Sequence, residues 1–155
     1  MAFGASQKGS KAERELIHAF SEAGFSVIRA AGSGVNSLSP DLLAFKGPKQ
    51  FAFESKAHEK ENLQLAKEQF RGLLRWEDNT GITTYVAWRR NRQGWRFVSL
   101  GIFEENMASY SVSWKKAMLS DVKLEDLTGM PLAKKQSEEP ICMPNSFSVQ
   151  ILSQI

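Results

Sequence analysis

A lone cysteine, Cys142, among 155 residues excludes an intramolecular disulfide, so the fold must hold by packing alone and suits a reducing compartment such as the cytoplasm. No apolar run approaches the roughly 20 residues that a membrane-spanning helix needs, and no secretory leader is evident. A membrane partner is therefore not expected. The two histidines, His18 and His58, have no second ligand at metal spacing and are read as non-catalytic. There is no internal repeat. Excess charge is also small, a formal +3, but it is unevenly placed: residues 1–100 hold 15 Lys/Arg against 10 Asp/Glu, and residues 101–155 hold 5 against 7. A basic excess in the first part of the chain is what a polyanionic substrate there would require.

What is present is a single domain's worth of patterned sequence. With 42% hydrophobic residues the chain can bury a core without metals or bridges. The spacing predicts a helix from Lys11 to Ala23, with Ala12, Leu16, Ala19, Phe20 and Ala23 as its apolar stripe, Ser10 and Glu13 as a capping box and Gly24 as its stop. A strand is expected over Phe25–Arg29, followed by a small-residue loop into Pro40. The apolar run Leu42–Phe45, the turn Lys46-Gly47-Pro48-Lys49 and the alternating segment Gln50–Lys56 read as a β-hairpin. Asn62 is expected to cap a helix over Leu63–Asp78, with Leu63, Ala66, Phe70, Leu73 and Leu74 inward and Asn79-Thr80-Gly81 as its end. Strands over Ile82–Arg89 and Trp95–Leu100 flank the turn Arg90–Gly94, and weaker signals place a strand at Tyr110–Trp114 and a short helix at Lys123–Leu127. The fold class is α/β: one domain, a central mixed β-sheet of about five strands flanked by helices, in the order α-β-β-β-α-β-β. Residues 1–129 form this domain, and 130–155, rich in Pro, Ser, Gln and paired charges, are expected to be a flexible tail.

The chemistry lies in the hairpin. Asp41 follows Pro40, and Glu54-Ser55-Lys56 stands thirteen residues on. On a strand, residues two apart share a face, so Glu54 and Lys56 stand side by side while Ser55 turns away. Antiparallel pairing brings Asp41 to the same end. Two carboxylates and an ammonium at one spot suit metal-assisted phosphodiester hydrolysis: hard oxygens for Mg²⁺, and a cation for the attacking water or the developing charge. By itself Glu-x-Lys is also a common exposed ion pair, so its placement at the hairpin mouth is what matters.

Several motifs in order carry a resemblance. Lys8-Gly9-Ser10-Lys11-Ala12-Glu13-Arg14-Glu15-Leu16, Gly24-Phe25, Val27-Ile28-Arg29-Ala30-Ala31-Gly32-Ser33, Pro40-Asp41-Leu42-Leu43-Ala44, Phe53-Glu54-Ser55-Lys56 and Gly94-Trp95-Arg96-Phe97 together resemble the archaeal-type Holliday junction resolvases. That family belongs to the PD-(D/E)xK nuclease superfamily and occurs also in some viruses and phages. The resemblance covers roughly residues 8–129. It implies a restriction-endonuclease-like fold and a homodimeric, Mg²⁺-dependent endonuclease, with Mn²⁺ as a substitute, that nicks opposed strands of a four-way DNA junction in the cytoplasm of an archaeal or a virus- or phage-infected cell. By position it makes Asp41 and Glu54 metal ligands together with the Ser55 carbonyl, and Lys56 the group that handles water and transition-state charge. Glu13 is implied to assist the metal or its water, Arg29 and Ser33 to lie near the scissile phosphate, and Lys8 and Arg14 to contact DNA. Two departures stand out: Ser55 replaces the usual apolar residue, and the Ser33–Asp41 loop is longer than in compact members.

Plainer readings stay open beside these. Glu13 also reads as a helix cap, Lys8 and Arg14 as ordinary solvated charges, and the cluster Arg89, Arg90 and Arg92 as either a charged hairpin tip or a phosphate contact. Trp76, Trp88, Trp95 and Trp114 are read as core or dimer-interface residues, with part of the interface expected around Trp76, Trp88, Phe97 and Trp114. Alternative functions are a sequence-specific or repair nuclease of the same fold, and a DNA-binding module without catalysis. The intact Asp41, Glu54 and Lys56 argue against the last, because binding alone gives no reason to keep like charges together.

Overall fold

The computed structural model describes residues 3–30, 39–120 and 122–129; the tail expected over 130–155 and the loop containing Ser33 lie outside them. Helix α1 spans Phe3–Glu22 and presents Ala12, Leu16 and Phe20 to the core at 4%, 0% and 1% exposure. It begins well before the expected Lys11, so Ser10 is an interior position whose carbonyl accepts from Arg14 Nε one turn on. A capping pair is a local preference only, and it yields where the helix ladder continues past it. Glu13 is thereby released from capping.

Strands β1 (Ser26–Arg29), β2 (Leu42–Lys46) and β3 (Lys49–Ala57) follow, then β4 (Asn62–Ala66), α2 (Lys67–Thr80), β5 (Thr83–Arg90) and β6 (Gly94–Ser99). A 3₁₀ turn at Leu100–Ile102 leads to β7 (Glu104–Glu105), β8 (Ser109–Ser113), α3 (Trp114–Leu119) and α4 (Leu124–Thr128). The main sheet has the order β1-β2-β3-β5-β6. Only β3 and β5 pair in parallel, with α2 in the crossover; the other neighbours are antiparallel. The hairpin β2–β3 turns at Gly47, whose φ of 55° lies in the left-handed region where a side chain is disfavoured.

A second sheet, β4-β8-β7, was not expected. The helix read over Leu63–Asp78 is two elements: a strand to Ala66 and a helix only from Lys67. Leu63 and Leu65 are buried at 0% and 1% between exposed Asn62, Gln64 and Ala66, a period of two. β8 pairs with this segment from Asn62↔Ser113 to Ala66↔Ser109. Leucines and an alanine at these spacings satisfy either period locally, and the distant partner strand decides. The C-terminus of α2 is as expected: Gly81 adopts φ 67° and its N–H returns to the Glu77 carbonyl at 2.8 Å.

Both faces of the main sheet are covered. On one, α1 packs over an aromatic cluster in which Phe20 meets Phe53, Phe25 and Phe97 at ring-centroid distances of 4.9, 5.2 and 6.2 Å. On the other, Val86, Trp88 and Val98 pack against Leu63 and Leu65 of the small sheet and Phe70 and Leu73 of α2. Trp114 stands edge-on to Trp88 at 4.9 Å. Trp88, Phe97 and Trp114 are 0%, 0% and 5% exposed, so the dimer surface expected around them is corrected: they fill the protomer's own cores. Phe97 joins the cluster under α1, while Trp88 and Trp114 are buried where the second layer meets the main sheet, a layer that was missed with the second sheet.

Phe20→Ala is expected to lower stability by about 3–5 kcal/mol, the cost of a large buried cavity. Met107→Ala, at a position 99% exposed, is expected to stay within about 0.5 kcal/mol. Urea denaturation of the two variants checks both.

Candidate active site

The hairpin register pairs Leu42 with Phe53, which places Asp41 and Glu54 at the open end where β2 begins. β1 is bound to the far side of β2, with Arg29 opposite Leu42, and the Ala30 N–H donates to the Asp41 carbonyl at 2.9 Å. Three strands thus deliver Arg29, Asp41 and Glu54 to one edge of the molecule. Helix α1 adds Glu13, whose Oε2 accepts from Arg29 Nε at 2.8 Å and pairs with Nη2 at 2.7 Å. Arg29 remains 59% exposed in its side chain, whereas Glu13 is only 17% exposed.

Each buried carboxylate is held by specific donors. The Ser55 N–H donates to Asp41 Oδ2 at 2.8 Å. Lys56 Nζ donates to Glu54 Oε1 at 2.7 Å, and Gln69 Nε2 donates to the same oxygen, also at 2.7 Å. Asp41 and Glu54 are 8% and 5% exposed. Burial pushes both carboxyls above the usual carboxylate range; at Asp41 the Ser55 N–H and the Lys56 charge oppose the rise, and at Glu54 Lys56 opposes it while the charge of Asp41 adds to it. Glu13 raises both a little further. Two like charges short of solvent form a site whose electrostatics improve when a cation enters. Among the described residues there is no group of three or more His, Cys, Asp and Glu poised around one point, so the carboxylate donors converging here are Asp41 and Glu54. A pair of hard oxygen ligands is a set that suits Mg²⁺, which keeps several waters and usually takes one or two carboxylates.

The other expected site residues are more scattered. Ser55 faces away from Glu54 and Lys56, opposite Ala87 of the α1-side core, and its Oγ is buried without a hydrogen-bond partner among the described residues. Lys8 belongs to α1, but its side chain, like Ser33, lies outside what is described. Arg14 is exposed on α1. Arg89 turns to Glu15 at 2.8 Å. Arg90 is 9% exposed, donates to the Glu59 carbonyl at 2.9 Å and to Glu61 at 3.3 Å, and lies 4.9 Å over Trp114. It points inward because the start of α3 offers it an aromatic face and the segment between β3 and β4 offers it acceptors, so of the three hairpin arginines Arg92, at the turn, is the exposed one. His58 packs on Trp88 at 5.3 Å, and burial, then Lys60 and Arg90, push its pKa down.

Gln69 is the functional candidate that sequence reasoning missed. A helix read from Leu63 gives Gln69 no fixed relation to β3. A helix starting at Lys67 puts it in the first turn, reaching Glu54, and that start depends on the β4–β8 pairing.

A mixed five-stranded sheet with α1 on one face and α2 on the other, carrying an acidic pair and a lysine at the mouth of its hairpin, is a restriction-endonuclease-like domain. The solved structure of Hjc from Archaeoglobus fulgidus, a Holliday junction resolvase, superposes with a TM-score of 0.70 at 27% identity, covering 79% of this chain and 96% of that one. The crossover junction endodeoxyribonuclease Hjc of the same organism is 32% identical over 106 residues, 68% of this chain and 78% of its own length. That of Methanocaldococcus jannaschii is 36% identical over 86 residues, 55% of this chain and 61% of its own. The family model described as Archaeal Holliday junction resolvase (Hjc) matches residues 5–136. The chain belongs to that family.

The carboxyl shifts have a testable sign. A carboxyl whose folded-state pKa stands above its ordinary 3.8 takes up protons on folding, so stability falls as pH rises from that value through the raised one. Above the raised value the cost is fully present. In chelator, Asp41→Asn is therefore expected to melt at a higher temperature than the wild type near neutral pH. The gap should close as pH falls below 3.8. Thermal melts across pH check this; an asparagine variant less stable than wild type at neutral pH would contradict it.

Proposed function

We propose that this protein is a structure-selective DNA endonuclease that resolves four-way junctions by paired, Mg²⁺-dependent phosphodiester hydrolysis. The observation that carries the reading is the convergence of Asp41, Glu54 and Lys56 at the hairpin mouth in a member of the resolvase family. Asp41, Glu54 and the Ser55 carbonyl would hold Mg²⁺ or Mn²⁺, which supplies Lewis-acid stabilisation of phosphate charge and a more acidic water. Lys56, 28% exposed and tethered beside Glu54, keeps a positive charge where the nucleophile enters and negative charge develops. Glu13 lies next to this pair under the guard of Arg29. Arg29 is open enough to solvent to meet a backbone phosphate, and doing so would exchange its hold on Glu13 for a polyanion. The recognition is mainly of phosphates, so selectivity follows from the shape that the basic surface spans. A four-way junction is close to two-fold symmetric and the described residues hold one such site, so the working unit proposed is an isologous dimer that nicks opposed strands.

A labelled four-way junction, linear duplex and single strand, each with and without Mg²⁺, form the test. Cleavage is expected on the junction and only with Mg²⁺ or Mn²⁺. Glu54→Gln should abolish it while junction binding survives, and Lys56→Ala should slow it by roughly 10²–10³. An active Glu54→Gln enzyme would sink the metal-site assignment.

Binding and assembly are checked separately. Arg29→Ala should reduce the magnitude of the log-affinity against log-salt slope by about 1, and light scattering at micromolar concentration should give a dimer. Equal affinity for junction and duplex across the salt titration would favour the sequence-specific or repair nuclease reading.

A further inference from the structure

We infer that Gln69 is a positioning residue of the catalytic centre: its side-chain amide clamps Glu54 Oε1, so that Oε2 stays presented to the cation when Lys56 leaves Glu54 for the reacting phosphate. The inference rests on the metal reading above and adds to it a residue outside the three motif positions.

The geometry divides labour between the two oxygens of Glu54. Oε1 accepts from both Lys56 Nζ and Gln69 Nε2 at 2.7 Å, which uses the two lone pairs of one carboxylate oxygen. Oε2 has no hydrogen-bond partner among the described residues. Asp41 is divided in the same way, with Oδ2 taken by the Ser55 N–H and Oδ1 without such a partner. Each carboxylate is thus anchored by one oxygen and open at the other, as a pair of monodentate ligands must be.

The two donors on Oε1 are not equivalent. Lys56 carries the charge that the transition state needs, and an ammonium cannot serve both the Glu54 anchor and the phosphate at full strength. Gln69 is neutral, so it orients the carboxylate without competing electrostatically with a bound cation. Its own position is firm. Phe70, the next residue, is 3% exposed and Leu73 2%, so the first turn of α2 is locked onto the core behind the site. With Gln69 gone, Glu54 would have Lys56 as its only anchor, and an ammonium is repelled by an entering cation as well as drawn to the substrate, so the carboxylate would lose its orientation on cation binding alone.

The test reads cation binding without DNA or turnover: calorimetric titration of the full chain with Mn²⁺, for wild type, Gln69→Ala, Gln69→Met, Lys56→Ala and Glu54→Gln. Methionine fills the space of glutamine without donating a hydrogen bond, which separates the lost bond from a lost fold. Both Gln69 variants are expected to raise the Mn²⁺ dissociation constant by about 10-fold or more, the usual effect of removing a group that orients a ligand. Lys56→Ala should not weaken Mn²⁺ binding. In the cleavage assay, excess Mn²⁺ should restore much of the rate of the Gln69 variants with KM for the junction unchanged, and should not rescue Lys56→Ala. Wild-type Mn²⁺ affinity in folded Gln69→Ala and Gln69→Met would overturn the inference and leave the metal reading intact. A wild-type chain that binds Mn²⁺ no better than Glu54→Gln would overturn both.

Discussion

Two carboxylates held side by side away from water are the constraint around which this molecule is arranged. Burial and mutual repulsion raise Asp41 and Glu54 together, and removing a partner from a buried charge is far more costly than losing a surface pair. Every donor near them therefore has a specific assignment: a backbone N–H for Asp41, an ammonium and an amide for Glu54. The third acid, Glu13, is neutralised by an arginine that itself faces solvent. The cost that remains is one that a cation beside the pair would lower, which is the electrostatic argument for the metal site proposed above.

The sheet makes this arrangement tolerable. β3 lies inside the sheet, antiparallel to β2 and parallel to β5, with a packed core on each face. A slip of one residue would drive Glu54 into the phenylalanine cluster and turn Phe53 out of it, so the hydrophobic pattern on both faces enforces the position of the charges. Backbone hydrogen bonds on both edges of β3 do the rest. The site is rigid because moving it would unmake two cores at once.

Much of the centre was legible before any coordinates. The hairpin, its alternation and the meeting of Asp41 with Glu54 and Lys56 follow from a short turn between two strands, where few residues separate the partners and little else competes. The strands β5 and β6, the stop at Gly81 and the late strand and helix were likewise close to expectation. The errors share a cause. Leu63–Ala66 suits a helix or a strand, Ser10 and Glu13 suit a cap or a helix interior, and Trp88 or Trp114 suits a core or an interface; in each case the local pattern is satisfied twice.

By itself the sequence determined which chemical groups stand at the hairpin mouth, because side-chain period and turn chemistry act over a dozen residues. Only the tertiary structure decided what surrounds them. The pairing of β4 with β8 set where α2 begins and so brought Gln69 to Glu54. The packing of α1 along the sheet brought Glu13 to Arg29, and the start of α3, which follows β8 directly, drew Arg90 inward onto Trp114. These contacts join residues far apart in the chain, and they are chosen by competition among all the apolar surfaces for burial, which no local window of sequence records.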